Sequence, residues 1–250
     1  MKQMPRKAKS PEMPQTSDLV ACDAVVLLSG GLDSLTAAAW AKSRGHRLIA
    51  LSINYGQRHS VELAAARRVA ASLEIREHII LSVDLSQFGG SALTDPTIRV
   101  PKDRTAQAIG HGIPTTYVPA RNTVLLSLAL SMAEARGAGA IVLGVNAIDY
   151  SGYPDCRPEY IEAFSKMASL ATRTAVEGGF IEILCPLQSL SKSEIIILGQ
   201  SLGVDYGLTS SCYDPAADGS PCGICDACIL RHVGFEQAGC VDPLITRSSR

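Results

Sequence analysis

The chain has 250 residues, of which 46% are hydrophobic and 19% charged, with a formal net charge of −1. That length allows one substantial core plus an appendage, and the balance is that of a soluble globular fold. It lacks the basic excess of a broad nucleic-acid footprint, and no apolar run approaches the roughly 18–20 residues of a membrane span.

Residues 1–20 begin basic, are rich in Pro and polar side chains, and lack the apolar stretch of a signal peptide. They read as a disordered tail. The first buried strand is the apolar run 24–28. It leads into Ser29-Gly30-Gly31-Leu32-Asp33-Ser34, and a helix follows over 35–42. A Gly-Gly turn between strand and helix lets backbone N–H groups approach an anion, with the positive end of the helix dipole behind them. Ser29 and Ser34 add hydroxyl donors, so the loop suits a phosphate or pyrophosphate. The pattern is neither G-x-x-x-x-G-K-[ST] nor G-x-G-x-x-G.

Strands and helices then alternate. Strands are expected over 47–53, 78–83, 140–145 and 180–184. Helices are expected over 59–73, 123–135, 158–174 and 191–202. This order predicts an α/β, Rossmann-like parallel sheet with helices on both faces and a ligand site beyond the carboxyl ends of the strands. Residues 86–116 have no clear period and carry several Gly and Pro residues, which makes them a candidate lid.

Eight cysteines in a chain that reads as cytosolic are expected to be reduced thiols or metal ligands rather than a disulfide framework. Cys22, Cys156, Cys185 and Cys240 are scattered and read as small core residues, with Cys156 set apart by its polar loop. Cys212, Cys222, Cys225 and Cys228 are clustered, and two overlapping C-x-x-C steps can wrap one tetrahedral Zn²⁺. Gly223 supplies the tight turn that brings N–H groups to the sulfurs. A four-sulfur shell has no open position, so the metal would be structural. An iron–sulfur cluster and a redox-active pair are the alternatives. The organisation read from the chain is a tail over 1–20, a nucleotide-binding catalytic domain over 21–208, a small C-terminal zinc-binding lobe over 209–240 and a tail over 241–250.

Ser-Gly-Gly-x-Asp-Ser resembles the signature of the ATP pyrophosphatases (the PP-loop enzymes), which cleave ATP between the α- and β-phosphates. Five further segments follow in order: Tyr55-Gly-Gln-Arg-His59, Val118-Pro-Ala-Arg-Asn-Thr123, Tyr150-Ser-Gly-Tyr-Pro-Asp-Cys-Arg157, residues 186–194, and Ser211-Cys-Tyr213 with the cysteine cluster. Together they resemble the 7-cyano-7-deazaguanine synthase family of the queuosine pathway over roughly residues 23–240. The resemblance implies an adenine nucleotide alpha hydrolase-like fold. It implies a carbon–nitrogen ligase that converts 7-carboxy-7-deazaguanine and ammonia into the nitrile through adenylated acid and amide intermediates, using two ATP. It further implies one structural Zn²⁺ per chain, Mg²⁺ delivered with ATP, a homodimer in the cytoplasm, and no direct binding to nucleic acid or membrane.

On that reading Leu27, Leu28, Ser29, Gly30, Gly31, Leu32, Asp33 and Ser34 hold ATP. Arg58 and His59 face adenine, ribose or phosphate, though His59 reads equally as a structural residue at a helix start. Asp33, Ser34, Arg121 and Lys192 are the candidate catalytic residues. Asp33 reads as a helix cap with an indirect metal role, with direct Mg²⁺ contact as the alternative. Arg121 can fork onto a carboxylate or phosphate, or be a surface arginine at a helix end. Lys192 starts a helix, where its charge opposes the dipole; that points to a bound anion, with a surface lysine as the alternative. Asp149, Tyr150, Tyr153, Asp155 and Arg157 are the candidate substrate residues. An Asp would pair with the guanidine-like edge, the Arg with the carboxylate, and Tyr150 or Tyr153 would stack on the ring; each alternatively only orders the loop. Arg231 and His232 read as surface or packing residues. Ala120 stands where this family often has Gly.

Overall fold

The structure, a computed structural model, describes residues 21–58, 61–109, 112–146 and 152–247. Its strands are β1 (Asp23–Leu27), β2 (Arg47–Asn54), β3 (Glu77–Ser82), β4 (Ala140–Val142) and β5 (Glu182–Leu184). Its helices are α1 (Leu32–Ser43), α2 (Val61–Ser72), α3 (Ala106–Ile109), α4 (Arg121–Arg136), α5 (Pro158–Ala171), α6 (Arg173–Val176), α7 (Lys192–Ser201), α8 (Asp226–Gln237) and α9 (Pro243–Arg247). The strands form one parallel sheet in the order β3-β2-β1-β4-β5, as the alternating pattern predicts.

Alternation along β1 divides the core. Val25 and Leu27 point to the face covered by α4 and α5, where they meet Leu126, Ala129, Ile161 and Phe164. Ala24 and Val26 point to the face covered by α1, α2, α7 and α8, with Leu35, Val69, Ile195 and Phe235. Burial on both faces explains why β1 reads as an unbroken apolar run. Each fully buried Val or Leu contributes about 1.5–3 kcal/mol over an exposed one. The alanines of α1 let it sit close to the sheet, and Ala37, Ala38 and Ala41 are fully buried.

The strand order reverses between β1 and β4, so the loops that leave their carboxyl ends part and open a crevice. Gly30 lies there with φ +84°, and a Cβ on it would stand 2.4 Å from the Glu62 carbonyl oxygen and 2.5 Å from the Ala66 nitrogen. Both neighbours are α2 backbone and have no room to yield. Gly30→Ala is therefore expected to destabilise the chain by about 3 kcal/mol, from left-handed strain plus overpacking. Denaturant unfolding measures this, and an unchanged midpoint would contradict the packing described.

Several elements differ from expectation. The helix expected over 158–174 breaks at Thr172, whose backbone is extended and whose hydroxyl accepts the Ala175 N–H, capping α6. The 241–250 stretch read as a tail carries α9, and Asp242 is buried in an ion pair with Arg231. Part of the cysteine-rich segment is the helix α8, which packs on α7. The segment expected as a lid is fastened instead: Asp103 N–H donates to the Ile224 carbonyl at 2.9 Å, Lys102 pairs with Asp214 at 2.7 Å, and Arg104 Nε donates to Asp226 at 2.9 Å. Ala120 adopts a left-handed conformation at the start of α4 with φ +53°, a position that a glycine fills without strain.

Candidate functional site

A cavity of about 230 Å³ occupies the crevice. Its floor is the turn after β1: Leu27, Leu28, Ser29, Gly31, Leu32, Asp33 and Ser34 all line it. Gly30 does not, because it faces α2. The turn is held by its own hydroxyls. Ser29 Oγ donates to Ser34 Oγ at 3.1 Å, Ser34 Oγ donates to the Gly31 carbonyl at 3.0 Å, and Gly31 N–H donates to Ser29 Oγ. No side chain caps α1, so N–H groups of its first turn stay available to an anion in the cavity.

Asp33 corrects the sequence reading. It does not cap α1; both its oxygens accept from Lys192 Nζ, at 2.7 and 2.8 Å. Lys192 is buried at the first turn of α7, which Ser191 and Glu194 cap reciprocally. The Asp33 carboxylate offsets the lysine charge that opposes the α7 dipole. The pair lines the cavity beside the turn after β1.

Arg121 stands across the cavity at the start of α4. Its guanidinium lies over the Tyr55 ring at 5.6 Å, Nη1 donates to the Tyr55 hydroxyl at 3.5 Å, and Nε is buried without a hydrogen-bond partner. Burial pushes the Tyr55 hydroxyl up to about 12, so it stays protonated. Glu62, on α2, also lines the cavity, and desolvation pushes its carboxyl up to about 7 against the pull of Arg121. Tyr153 lines the cavity with its hydroxyl 3.0 Å from Thr116 Oγ1 and 3.5 Å from the Tyr213 hydroxyl.

Three expected residues are turned elsewhere. Asp155 accepts the Asn122 N–H at 2.9 Å and so caps α4 from outside the cavity. Arg157 is exposed at the start of α5 and does not line the cavity. Arg58 donates to the Asp95 and Ile98 carbonyls at 3.1 Å each, tying the 86–116 segment down. His59, Asp149 and Tyr150 lie outside the described residues. Cys156 is buried at the cavity wall, not exposed in a polar loop. Its Sγ accepts from Asn122 Nδ2 at 3.2 Å, and burial pushes its thiol up to about 12, which favours the protonated thiol. Glu62 and Asn146 line the cavity but were not singled out, and Asn122 lay inside a resembling segment without a role of its own. Tyr55 and Tyr213 fell inside the resembling segments, yet nothing local told which way their rings turn.

The four clustered cysteines converge, with every Sγ within 4.8 Å of the others. A tetrahedral Zn–S₄ site has sulfurs about 3.8 Å apart, and Cys212 and Cys225 are separated by 3.9 Å. Backbone N–H groups of Cys222 and Asp214 donate to Cys212 Sγ at 3.2 and 3.4 Å, and that of Cys225 donates to Cys222 Sγ at 3.4 Å. These donors favour thiolates, and the donor set fits a four-sulfur metal centre. Gly223, with φ +76°, makes the turn between the ligands. The cluster lies against the 86–116 segment through Ala92, Val100 and Ile98, and Ser210 N–H donates to the Gly30 carbonyl at 2.9 Å. Arg231, on α8, is buried, holds Asp242 and Thr209, and also lines the cavity, so it is not the surface residue that the sequence also allowed.

A parallel sheet in this order, with Ser-Gly-Gly-Leu-Asp-Ser at the carboxyl end of its central strand, is the nucleotide-binding fold of the PP-loop ATP pyrophosphatases. The family model described as "Queuosine biosynthesis protein QueC" matches residues 23–239, and the chain belongs to that family. The 7-cyano-7-deazaguanine synthase of Myxococcus xanthus is 57% identical over 220 residues, covering 88% of this chain and 95% of that protein. The enzyme of the same name from Solidesulfovibrio magneticus is 60% identical over 227 residues, covering 90% and 96%. The NMN synthetase of Francisella tularensis superposes with a TM-score of 0.43 at 18% identity, over 91% of this chain and 82% of that one, a likeness too distant to bear on function. No helix among the described residues is long and apolar enough to cross a membrane.

Proposed function

We propose that this cavity joins ammonia to 7-carboxy-7-deazaguanine and dehydrates the product to 7-cyano-7-deazaguanine, at the expense of two ATP. The chain is a carbon–nitrogen ligase of queuosine biosynthesis. The observation that carries its chemistry is an uncapped helix N-terminus facing the same cavity as Lys192 and an unpartnered Arg121 Nε.

A carboxylate is a poor electrophile. Attack of its oxygen on the α-phosphate of ATP forms an acyl-adenylate and releases pyrophosphate. Ammonia then displaces AMP and leaves the amide. A second ATP adenylates the amide oxygen, and loss of AMP leaves the nitrile. Both activations need an oxygen in line with the α-phosphate and a held pyrophosphate, so one phosphate site serves twice. Catalysis is then mainly positioning and charge stabilisation. N–H groups of residues 32–34 hold phosphate, on a turn that the Ser29 and Ser34 hydroxyls keep in shape. Lys192 neutralises charge on it, and Arg121 forks onto the substrate carboxylate. The Tyr153 ring stacks on the deazapurine, and Mg²⁺ enters with ATP. Cys212, Cys222, Cys225 and Cys228 would hold Zn²⁺, which supplies structure and no open coordination position.

A homodimer is supported by the apolar side chains of Leu170, Val176 and Phe180, which are 82%, 78% and 71% exposed and lie along the chain from the end of α5 to just before β5, the last strand of the sheet among the described residues. The near-neutral charge and the small cavity support small-molecule substrates, and the eight unpaired cysteines support a cytoplasmic setting. Mass spectrometry of the product from 7-carboxy-7-deazaguanine, ammonium, ATP and Mg²⁺, with AMP counted, tests the reading. A nitrile with two AMP supports it. An amide with one AMP makes the chain an amide ligase, and no substrate-dependent AMP rejects the substrate.

A further inference from the structure

A second cavity, of about 20 Å³, adjoins the main one, and Tyr55, Gln57, Glu62, Leu93 and Tyr213 line both. That space holds about one water-sized molecule, and ammonia is of that size. Glu62 stands at the junction, in the first turn of α2.

The chemistry of the reaction asks for a proton acceptor near the nitrogen. A nitrile nitrogen carries none of ammonia's three hydrogens, so each must leave as a proton. The first leaves as the C–N bond forms and the C–O bond to AMP breaks. The others leave as the amide oxygen is adenylated and its C–O bond to the second AMP breaks. Among the described residues only two carboxylates, Asp33 and Glu62, and no histidine line the main cavity. Both oxygens of Asp33 are engaged by Lys192. The cysteine thiol and the Tyr55 hydroxyl in the wall are held protonated by burial. Glu62 remains.

We infer that ammonia docks in the side chamber and that the Glu62 carboxylate accepts a proton from it as it attacks the adenylated carboxylate. This rests on the nitrile-synthase reading above. Arg58 and Cys212 also line the chamber, so a cation and a cysteine sulfur face the space together with the Glu62 carboxylate. The raised Glu62 carboxyl suits a group that must take up a proton near neutral pH and give it back.

The test separates activation of the acid from transfer of nitrogen. Exchange of labelled pyrophosphate into ATP, driven by 7-carboxy-7-deazaguanine without ammonium, reads the first adenylation alone. Amide plus nitrile formation against ammonium concentration reads the nitrogen step. For Glu62→Gln the nitrogen step is expected to fall about 10²–10³-fold, far more than the exchange. Glu62→Asp is expected to recover part of it, with a raised KM for ammonium. Equal loss of both readouts would overturn the inference and make Glu62 part of the ATP or acid site; so would an unaltered nitrogen step. If Glu62→Gln melts below the assay temperature, the same comparison is made on Glu62→Asp. Wild-type protein that performs the exchange but forms no amide or nitrile refutes the function itself, a failure visible without any variant.

Discussion

Cys225→Ala is expected to abolish the Zn²⁺ binding proposed for the four cysteines and to loosen the turn after β1 with it. Cys225 is fully buried, and its Sγ accepts the Tyr213 N–H. In small zinc modules a structural site contributes roughly 10–16 kcal/mol of apparent binding energy, as large as the roughly 5–15 kcal/mol that keeps a domain folded. The loss does not stay local. Ser210, Ser211 and Tyr213 line the main cavity, and Ser210 donates to the carbonyl of Gly30 inside the turn after β1. Lys102 and Asp103 pair with the segment between the ligands, so the 86–116 wall loses its anchor as well. The variant should carry no metal by elemental analysis and should be cut by protease within 86–116. Its ATP-dependent activity should fall by two orders of magnitude or more, roughly. A metal-free variant with wild-type activity and a protected 86–116 segment would show that the centre does not support the site.

What the sequence made legible is what lies close along the chain. Ser29 to Ser34 read as a phosphate turn because the strand before it and the helix after it are contiguous with it. The sheet read correctly because its central strands are apolar on both faces. The cysteine centre was legible because two C-x-x-C steps fix most of its geometry within seven residues. What stayed hidden joins distant segments. Asp33 and Lys192 are 159 residues apart, and Arg104 and Asp226 are 122 apart. Without the second member, Asp33 in a first helical turn looks like a cap. Arg58 and Asp155 sit in motif segments, yet one turns to loop carbonyls and the other to the N-terminus of α4. A motif identifies a segment that matters and leaves open which side each chain faces. Glu62 had no local signal beyond an acidic residue early in a helix.

Lys192→Met is expected to lower activity by about 10²–10³-fold, the effect of removing one preorganised charge from a site where phosphate charge develops. The lysine stem runs through a slot that α8 leaves open: a Cβ on Gly234 would stand 2.4 Å from Lys192 Cγ. Its ammonium is thereby held against Asp33, with side-chain exposures of 8% and 25% for the two partners. Removing the cation alone leaves a part-buried carboxylate without its counterion, so the variant should also lose about 3 kcal/mol, the lower end of the range for broken buried pairs, since Asp33 keeps some exposure to the cavity. Both losses would follow equally if the pair only joined α1 to α7. The double variant Asp33→Asn with Lys192→Met separates the readings, because it removes both charges and restores a neutral junction. Stability should largely return, read by denaturant unfolding, while pyrophosphate exchange stays low. Recovery of both together would make the pair a structural tie and leave the charge on the phosphates to Arg121 and the first turn of α1.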